Sequence, residues 1–394
     1  MNFQSTPLLS IYLHIPFCKT RCSYCAFNTY TQFDHLVDRF VDALGEELRI
    51  TGAGAADYRV HTVFFGGGTP SLLSHAQFER IFAALNASFT LLPDAEITIE
   101  ANPNDLDRAY LTPLRALGIN RLSIGMQSSS EMELRLFDRR HDNEAVVRAV
   151  DAARGAGFDN LNLDVIYGVP QQTMATWEAT LRQMIALQPA HASLYALSLE
   201  EGTSMHNWVE RGKLPEPDDD LAADMYDLAT DMLAAAGYGQ YEISNWAKPG
   251  RECRHNLQYW YNDPYLGLGP GAHGFANGVR YSVIRSPQRY LAALLPPSQH
   301  PTSAAFPLTP AVDEATTLAR DDEIAETLIM WLRLTREGVD RARFARRFGV
   351  DLVDLHRPLI ERFTRDGLLQ VDATRVRLTD RGRMLSNIIF RELV

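Results

Sequence analysis

Three cysteines, Cys18, Cys22 and Cys25, stand in the run His14-Ile-Pro-Phe-Cys18-Lys-Thr-Arg-Cys22-Ser-Tyr-Cys25 with the spacing C-x₃-C-x₂-C. They are three of only four cysteines in 394 residues, a poor disulfide framework for a chain of this length. Clustered thiols of this kind read as metal ligands. A [4Fe–4S] cubane ordinarily takes four cysteines, so three from one loop leave one iron without a protein ligand. An open iron of that kind chelates the amino and carboxylate groups of a methionine moiety, and an electron from the cluster then cleaves the sulfonium of S-adenosylmethionine (SAM) to a 5′-deoxyadenosyl radical. The alternative is a tetrahedral zinc site completed by Cys253 or a histidine, although zinc motifs usually pair C-x₂-C knuckles and this triplet is unpaired.

Further candidates follow at intervals along the chain. In Val63-Phe-Phe-Gly-Gly-Gly-Thr69-Pro70 a glycine run lets main-chain amides and carbonyls approach a ligand with no Cβ in the way, here the methionine ammonium of SAM. A phosphate cradle and a plain tight turn are the alternatives; the run has neither the G-x₄-G-K-[ST] nor the G-x-G-x-x-G spacing. Glu100, Gln127, Arg139 and Asp164 together offer groups for ribose hydroxyls, adenine edges and a carboxylate. Arginine suits the carboxylate because its planar fork bonds both oxygens. For each one taken singly, a surface salt bridge is the alternative.

The elements that must position these residues are short apolar or β-branched runs alternating with segments of helical period. Strands are predicted at Ile11–Ile15, His61–Phe65, Glu96–Glu100, Arg121–Gly125, Asn160–Ile166 and Ala192–Ser198, with helices at about 34–51, 74–88, 105–117, 142–156 and 173–187. The candidate residues fall at the C-terminal ends of these strands, where barrel enzymes place their sites. The predicted fold class is therefore α/β, a partial (β/α)6 barrel over residues 1–200. An extension covers 201–295, a Pro/Ser-rich linker or long loop 296–310, and a C-terminal α+β, winged-helix-like domain 311–394. A net charge of -11 disfavours a nucleic-acid partner that is held by its phosphates. No stretch is apolar enough to span a membrane and no secretory signal opens the chain, so a cytoplasmic protein is expected.

The cysteine spacing after a first strand resembles the radical-SAM superfamily. Together with Gly66-Gly-Gly-Thr-Pro-Ser71, Glu100-Ala-Asn-Pro103, Ser123-Ile-Gly-Met-Gln127 and Asp164-Val-Ile-Tyr-Gly168, the sequence from about residue 11 to the C-terminus is similar to the oxygen-independent coproporphyrinogen III oxidase (HemN-like) group. That resemblance implies a [4Fe–4S] cluster on Cys18, Cys22 and Cys25, an electron donor for it, and SAM contacts from Tyr12, Tyr24, Gly67, Gly68, Thr69, Glu100, Gln127, Arg139 and Asp164. Two features depart from the oxidase itself. Its further cysteine, two residues after the triplet, is replaced here by Phe27, and only ten residues precede the first strand, in place of a long N-terminal extension.

Both departures, with His255-Asn-Leu-Gln-Tyr259-Trp260, point to the haem-chaperone branch of the group. An imidazole is an ordinary axial ligand of haem iron, and aromatic faces pack on a porphyrin. His255 is the candidate ligand by this resemblance; an aromatic core segment with a satisfied histidine is the alternative. Gly267-Leu-Gly-Pro-Gly-Ala-His273-Gly274 reads as a tight loop near the barrel mouth, Pro270 counting against a nucleotide fingerprint, and His273 is a weaker second haem candidate. The implied function is a carrier that binds haem and hands it to haem-accepting proteins such as respiratory enzymes. The competing reading is a radical-SAM enzyme, either porphyrinogen-oxidising or methyl-transferring.

Overall fold

The structure is a computed structural model that describes residues 6–296 and 305–393. It divides into two compact units, one of residues 1–229 and 264–317, the other of residues 230–263 and 318–394. The expected segment 201–295 is therefore shared between them. Most of the expected linker, residues 297–304, lies outside the described residues.

Six parallel strands, β1 (Leu8–Ile15), β2 (Arg59–Gly67), β3 (Leu91–Ala101), β4 (Arg121–Gln127), β5 (Leu161–Tyr167) and β6 (His191–Ala196), run side by side in sequence order. Helices Val37–Ala53, His75–Ser88, Arg108–Ala116, Asn143–Gly155 and Met174–Ala186 connect them. Four of the five are capped by a side chain at their start. Ser74 forms a capping box with Gln77, and the Asp107, Asp142 and Thr173 side chains accept main-chain N–H groups of the first turn.

Two faces of each strand differ as the period of two requires. Leu9, Ile11, Leu13, Val63, Phe65, Ile97, Ile99, Leu122, Ile124, Leu161, Leu163, Val165, Ala192 and Leu194 are buried and form an apolar layer on one face. On the other face Ser10, Thr62, Thr98, Arg121, Ser123, Asn162, His191 and Ser193 are just as buried but polar. One cavity is lined from the loop that follows β1 at one edge of these six strands, from the end of β6 at the other, and from the ends of all four between them. A flat sheet would hold those edges far apart, so the six strands curve round the cavity as the partial barrel that the sequence predicts.

What the sequence reading missed is that β1 is not an edge. Tyr265–Leu268 pairs parallel to it, and His273–Ala276, Val279–Val283 and Val312–Thr317 extend the sheet antiparallel. These four strands are short, with Gly267, Gly269 and Gly271 among or between them, and no regular alternation announces them. Buried Glu47, from the first helix, ties this extension down. Its carboxylate accepts Gly269 N–H at 2.8 Å, Tyr290 Oη–H at 2.7 Å and Thr309 Oγ1–H at 3.2 Å.

In the second unit, helix Arg320–Leu332 precedes strand Val339–Asp340, helices Arg341–Phe348, Leu352–Leu355 and Arg357–Arg365, and the hairpin Leu369–Val371/Arg375–Leu378. Trp331, Phe344, Ile360, Phe363 and Ile389 fill its core. Trp331 Nε1–H and Arg347 both donate to Tyr261 O, at 2.8 and 3.2 Å, which is why residues 230–263 belong to this unit and not to an extension of the barrel. Among the described residues no helix is long and apolar enough to cross a membrane.

Burial raises the Glu47 carboxyl to about 7. The folded chain binds that proton more tightly than the unfolded one, so its contribution to stability is fully present below about pH 4.5 and is lost as pH rises through about 7. Urea unfolding of wild type and Glu47→Gln over this range is expected to find wild type losing stability relative to the variant as pH rises; parallel curves would refute the assignment.

Candidate cofactor site

The cysteine loop leaves β1 at Ile15 and closes on itself where Phe17 bridges Tyr30, with Cys18 N–H to Tyr30 O at 3.0 Å and Tyr30 N–H to Pro16 O at 2.8 Å. Its tip is fixed by Ser23, whose N–H donates to Phe137 O, whose Oγ–H donates to Leu136 O at 2.6 Å, and whose carbonyl accepts Met205 N–H at 2.9 Å. The Tyr24 ring stands edge-on to Phe137 at 5.1 Å. Behind the loop, Asn28 Nδ2 donates to Pro270 O and Arg285 O, both at 2.9 Å. His14 completes the support: Nε2–H donates to Asn28 O and Nδ1 accepts Tyr12 Oη–H, each at 3.0 Å.

All three cysteines line a cavity of about 410 Å³ with Tyr24, Gly67, Gly68, Thr69, Glu100, Gln127, Arg139 and Asp164. Eight of the nine expected SAM residues are thus on its wall. Tyr12 is not among the lining residues, because its hydroxyl is held by His14. The glycines also have a part in packing. A Cβ on Gly67, whose φ is +104°, would stand 2.4 Å from the His14 ring, and one on Gly68 would stand 2.7 Å from both Ile15 O and Phe17 O. They let the end of β2 close on the cysteine loop.

Donors face the thiols. Thr69 Oγ1–H reaches Cys18 Sγ at 3.4 Å, and Arg139 Nη1 reaches Cys22 Sγ at 3.6 Å while its Nη2 donates to Gly125 O at 2.9 Å. Gly125 makes this possible, since a Cβ there would lie 2.9 Å from Arg139 Nη2. Gln127 has φ 64°, and the β4–β5 register shifts between Gly125 and Gln127, a bulge of the kind found beside functional sites. Burial pushes the Cys18 thiol up to about 11.

The same cavity is lined by two half-buried carboxyls. Glu100 accepts Gly67 N–H at 3.0 Å; burial first, then the charge of Asp164, raises it to about 7. Asp164 accepts from Ser123 Oγ at 2.9 Å and from Asn162 Nδ2 at 2.8 Å, and burial raises it as well. Asn162 in turn accepts from His191 Nδ1 at 2.6 Å and from Ser193 at 3.1 Å. The sequence reading passed over Ser123, Asn162, His191 and Ser193, although polar residues two apart on strands of otherwise buried character signal them. At the rim, Asp105 accepts both nitrogen-to-oxygen contacts of Arg140, at 2.9 and 3.1 Å, and one from Lys19 at 3.4 Å.

The residues fit the implied cofactors. Arg139 Nε is buried without a protein partner, beside thiols that a cluster would bridge and carboxyls that a cationic ligand would satisfy. Among the described residues no three His, Cys, Asp or Glu side chains are disposed to hold a single metal ion.

His255 belongs to the second unit, on helix Arg254–Trp260, and is 1% exposed. Its Nε2 pairs with Tyr259 Oη at 2.9 Å, the two rings edge-on one helical turn apart. Trp260 lies under the Arg333 guanidinium at 5.0 Å. The run is thus helical, as the shared face of His255 and Tyr259 requires. His273 is exposed at the start of its strand, and Gly269 and Gly271 pack against His14 O and the Asn28 side chain, so this stretch is the tight loop expected.

The chain matches the Radical SAM superfamily over residues 12–184 and the HemN C-terminal domain over 318–385. It is a radical-SAM α/β protein with a HemN-type C-terminal domain. It is 38% identical to heme chaperone HemW of Mycobacterium tuberculosis over 98% of this chain and 94% of that protein. To heme chaperone HemW of Bacillus subtilis it is 35% identical, over 97% and 98%. Its structure is similar to that of coproporphyrinogen III oxidase (HemN) from Escherichia coli, a radical-SAM enzyme, with TM-score 0.83 and 27% identity over 98% and 90% of the chains. The chain belongs to the HemW family.

Asn28→Ala would take the amide donor from Pro270 O behind the cysteine loop, at about 1–3 kcal/mol, and would leave Arg285 O with the Tyr30 hydroxyl alone, at 3.0 Å. Urea unfolding is expected to register that loss, and anaerobic reconstitution is expected to deliver less iron per chain than in wild type. Full iron uptake with unchanged stability would show that the loop is held without Asn28.

Proposed function

We propose that this chain binds haem and passes it to acceptor haem proteins, and that it carries a [4Fe–4S] cluster on Cys18, Cys22 and Cys25 with SAM beside it. The observation that carries the haem half is similarity over nearly the whole chain to proteins named heme chaperone HemW. The cofactor half is supported by the cavity, where the three thiols share a lining with the carboxyls of Glu100 and Asp164 and the guanidinium of Arg139.

The cluster, when bound, supplies an iron open to an amino acid's chelating groups and an electron for the sulfonium. Around it the protein's own residues divide the work. Thr69 and Arg139 donate to sulfur, lowering the cost of gathering three thiolates. Glu100 and Asp164 attract the ligand's positive charge, and a cation between them would lower both carboxyls towards their ordinary range. Gly67 and Gly68 fix the height of β2 against the loop, while Tyr24 and Gln127 complete the wall.

For haem, His255 is the ligand that the family resemblance suggests, and an iron–nitrogen bond there requires its pair with Tyr259 to open. His255→Ala is expected to shift the Soret band and raise haem dissociation if the imidazole binds iron. A folded variant with unchanged spectrum and affinity would leave it a core residue. An oxidase reading is favoured by the likeness to HemN, and release of carbon dioxide from coproporphyrinogen III by the reconstituted chain would establish it over the carrier.

Anaerobically reconstituted protein is expected to hold about four irons and four sulfides per chain, and Cys22→Ser to lose the cluster absorption. SAM is expected to alter the electron paramagnetic resonance of the reduced cluster. Glu100→Gln and Asp164→Asn are expected to weaken that response with iron content intact; a normal response in both variants would refute their place in the pocket.

A further inference from the structure

Among the described residues two aromatic side chains are exposed, Phe27 at 68% and Tyr195 at 45%, and both line the same cavity. Phe27 is the most exposed large apolar side chain described. It lies two residues beyond Cys25, while Tyr195 lies near the end of β6. Isolated exposed apolar residues are ordinary on a protein surface; two aromatic ones facing one cavity make a site.

Charge surrounds them in the right sense. Arg21 is exposed on the same wall, its Nη2 3.3 Å from Cys25 O. Lys19 and Arg140 share the single carboxylate of Asp105, so that group keeps a surplus positive charge. Glu200 is the counter-charge on the lining. In a chain of net charge -11, aromatic faces flanked by cations select a ligand that is flat, apolar over most of its area and carboxylated at one edge.

We propose that the mouth of this cavity, at Phe27 and Tyr195 with Arg21, Lys19 and Arg140, is the seat of haem. The macrocycle lies against the two aromatic side chains and its propionates meet the cations. This inference rests on the haem-binding reading above and adds the place, independently of His255.

The test is titration of ferric haem into the cluster-loaded full chain, followed at the Soret band. Phe27→Ala and Tyr195→Ala alter exposed side chains and are expected to fold, to keep iron, sulfide and the SAM response, and each to weaken haem about tenfold. Haem dimethyl ester, which lacks the free carboxylates, is expected to bind wild type about tenfold more weakly than haem, and Arg21→Glu to narrow that difference. Haem affinity unchanged in both aromatic variants but lost in His255→Ala would overturn the site and leave the haem reading standing. No haem binding by the wild-type chain would overturn both.

Discussion

The close approach of β2 to the cysteine loop governs everything above it. Gly68 N–H donates to Ile15 O and Thr69 N–H to Phe17 O, each at 2.8 Å, and these two bonds carry the pairing of β1 and β2 beyond the regular strand. Neither survives a side chain at Gly68, where a Cβ would meet both acceptor carbonyls. The glycine run is therefore a packing requirement first. Because it is met, Thr69 arrives beside Cys18 and the Gly67 N–H beside Glu100, so a single contact between two main chains sets the sulfur side and the carboxylate side of the cavity together.

A cost attends this arrangement. The barrel interior buries Arg121 and His191 and holds Glu100 and Asp164 half-buried on the cavity wall, where a stability-optimised barrel would place branched apolar residues. Hydrogen bonds through Ser123, Asn162 and Ser193 satisfy Asp164, yet the carboxyls stay raised because burial outweighs those bonds. Such an interior is stabilised by whatever brings positive charge to it. The apolar layer on the opposite face of the strands, and the Glu47 staple across the sheet extension, stabilise the fold independently of any ligand.

The six barrel strands were legible because each is a short apolar run followed by a chemically distinctive residue, and the order of those residues gave the end at which the cavity lies. The cysteine loop was legible from spacing alone. Three things were not. The sheet extension beyond β1 is built from strands of four to six residues interrupted by glycine, too short for periodicity to register. The unit boundary depends on main-chain carbonyls of Tyr261 and Asn262 being bonded by Trp331 and Arg347, contacts between residues about seventy or more apart that no local pattern encodes. Tyr12 was named by the family resemblance alone, and no local pattern shows that its hydroxyl pairs with His14, two residues on along the same strand.

A carrier differs from an enzyme in that it must release what it binds unchanged. A bond from iron to His255 would be made by a buried ring that already has a partner, so forming and breaking it would each disturb the aromatic packing of the second unit. Contacts to exposed aromatic faces and to surface cations make no such demand. They are individually weak and wet, and an acceptor with a stronger axial ligand can strip them one at a time. An exposed phenylalanine at position 27 fits that requirement, since its ring is a flat, inert surface.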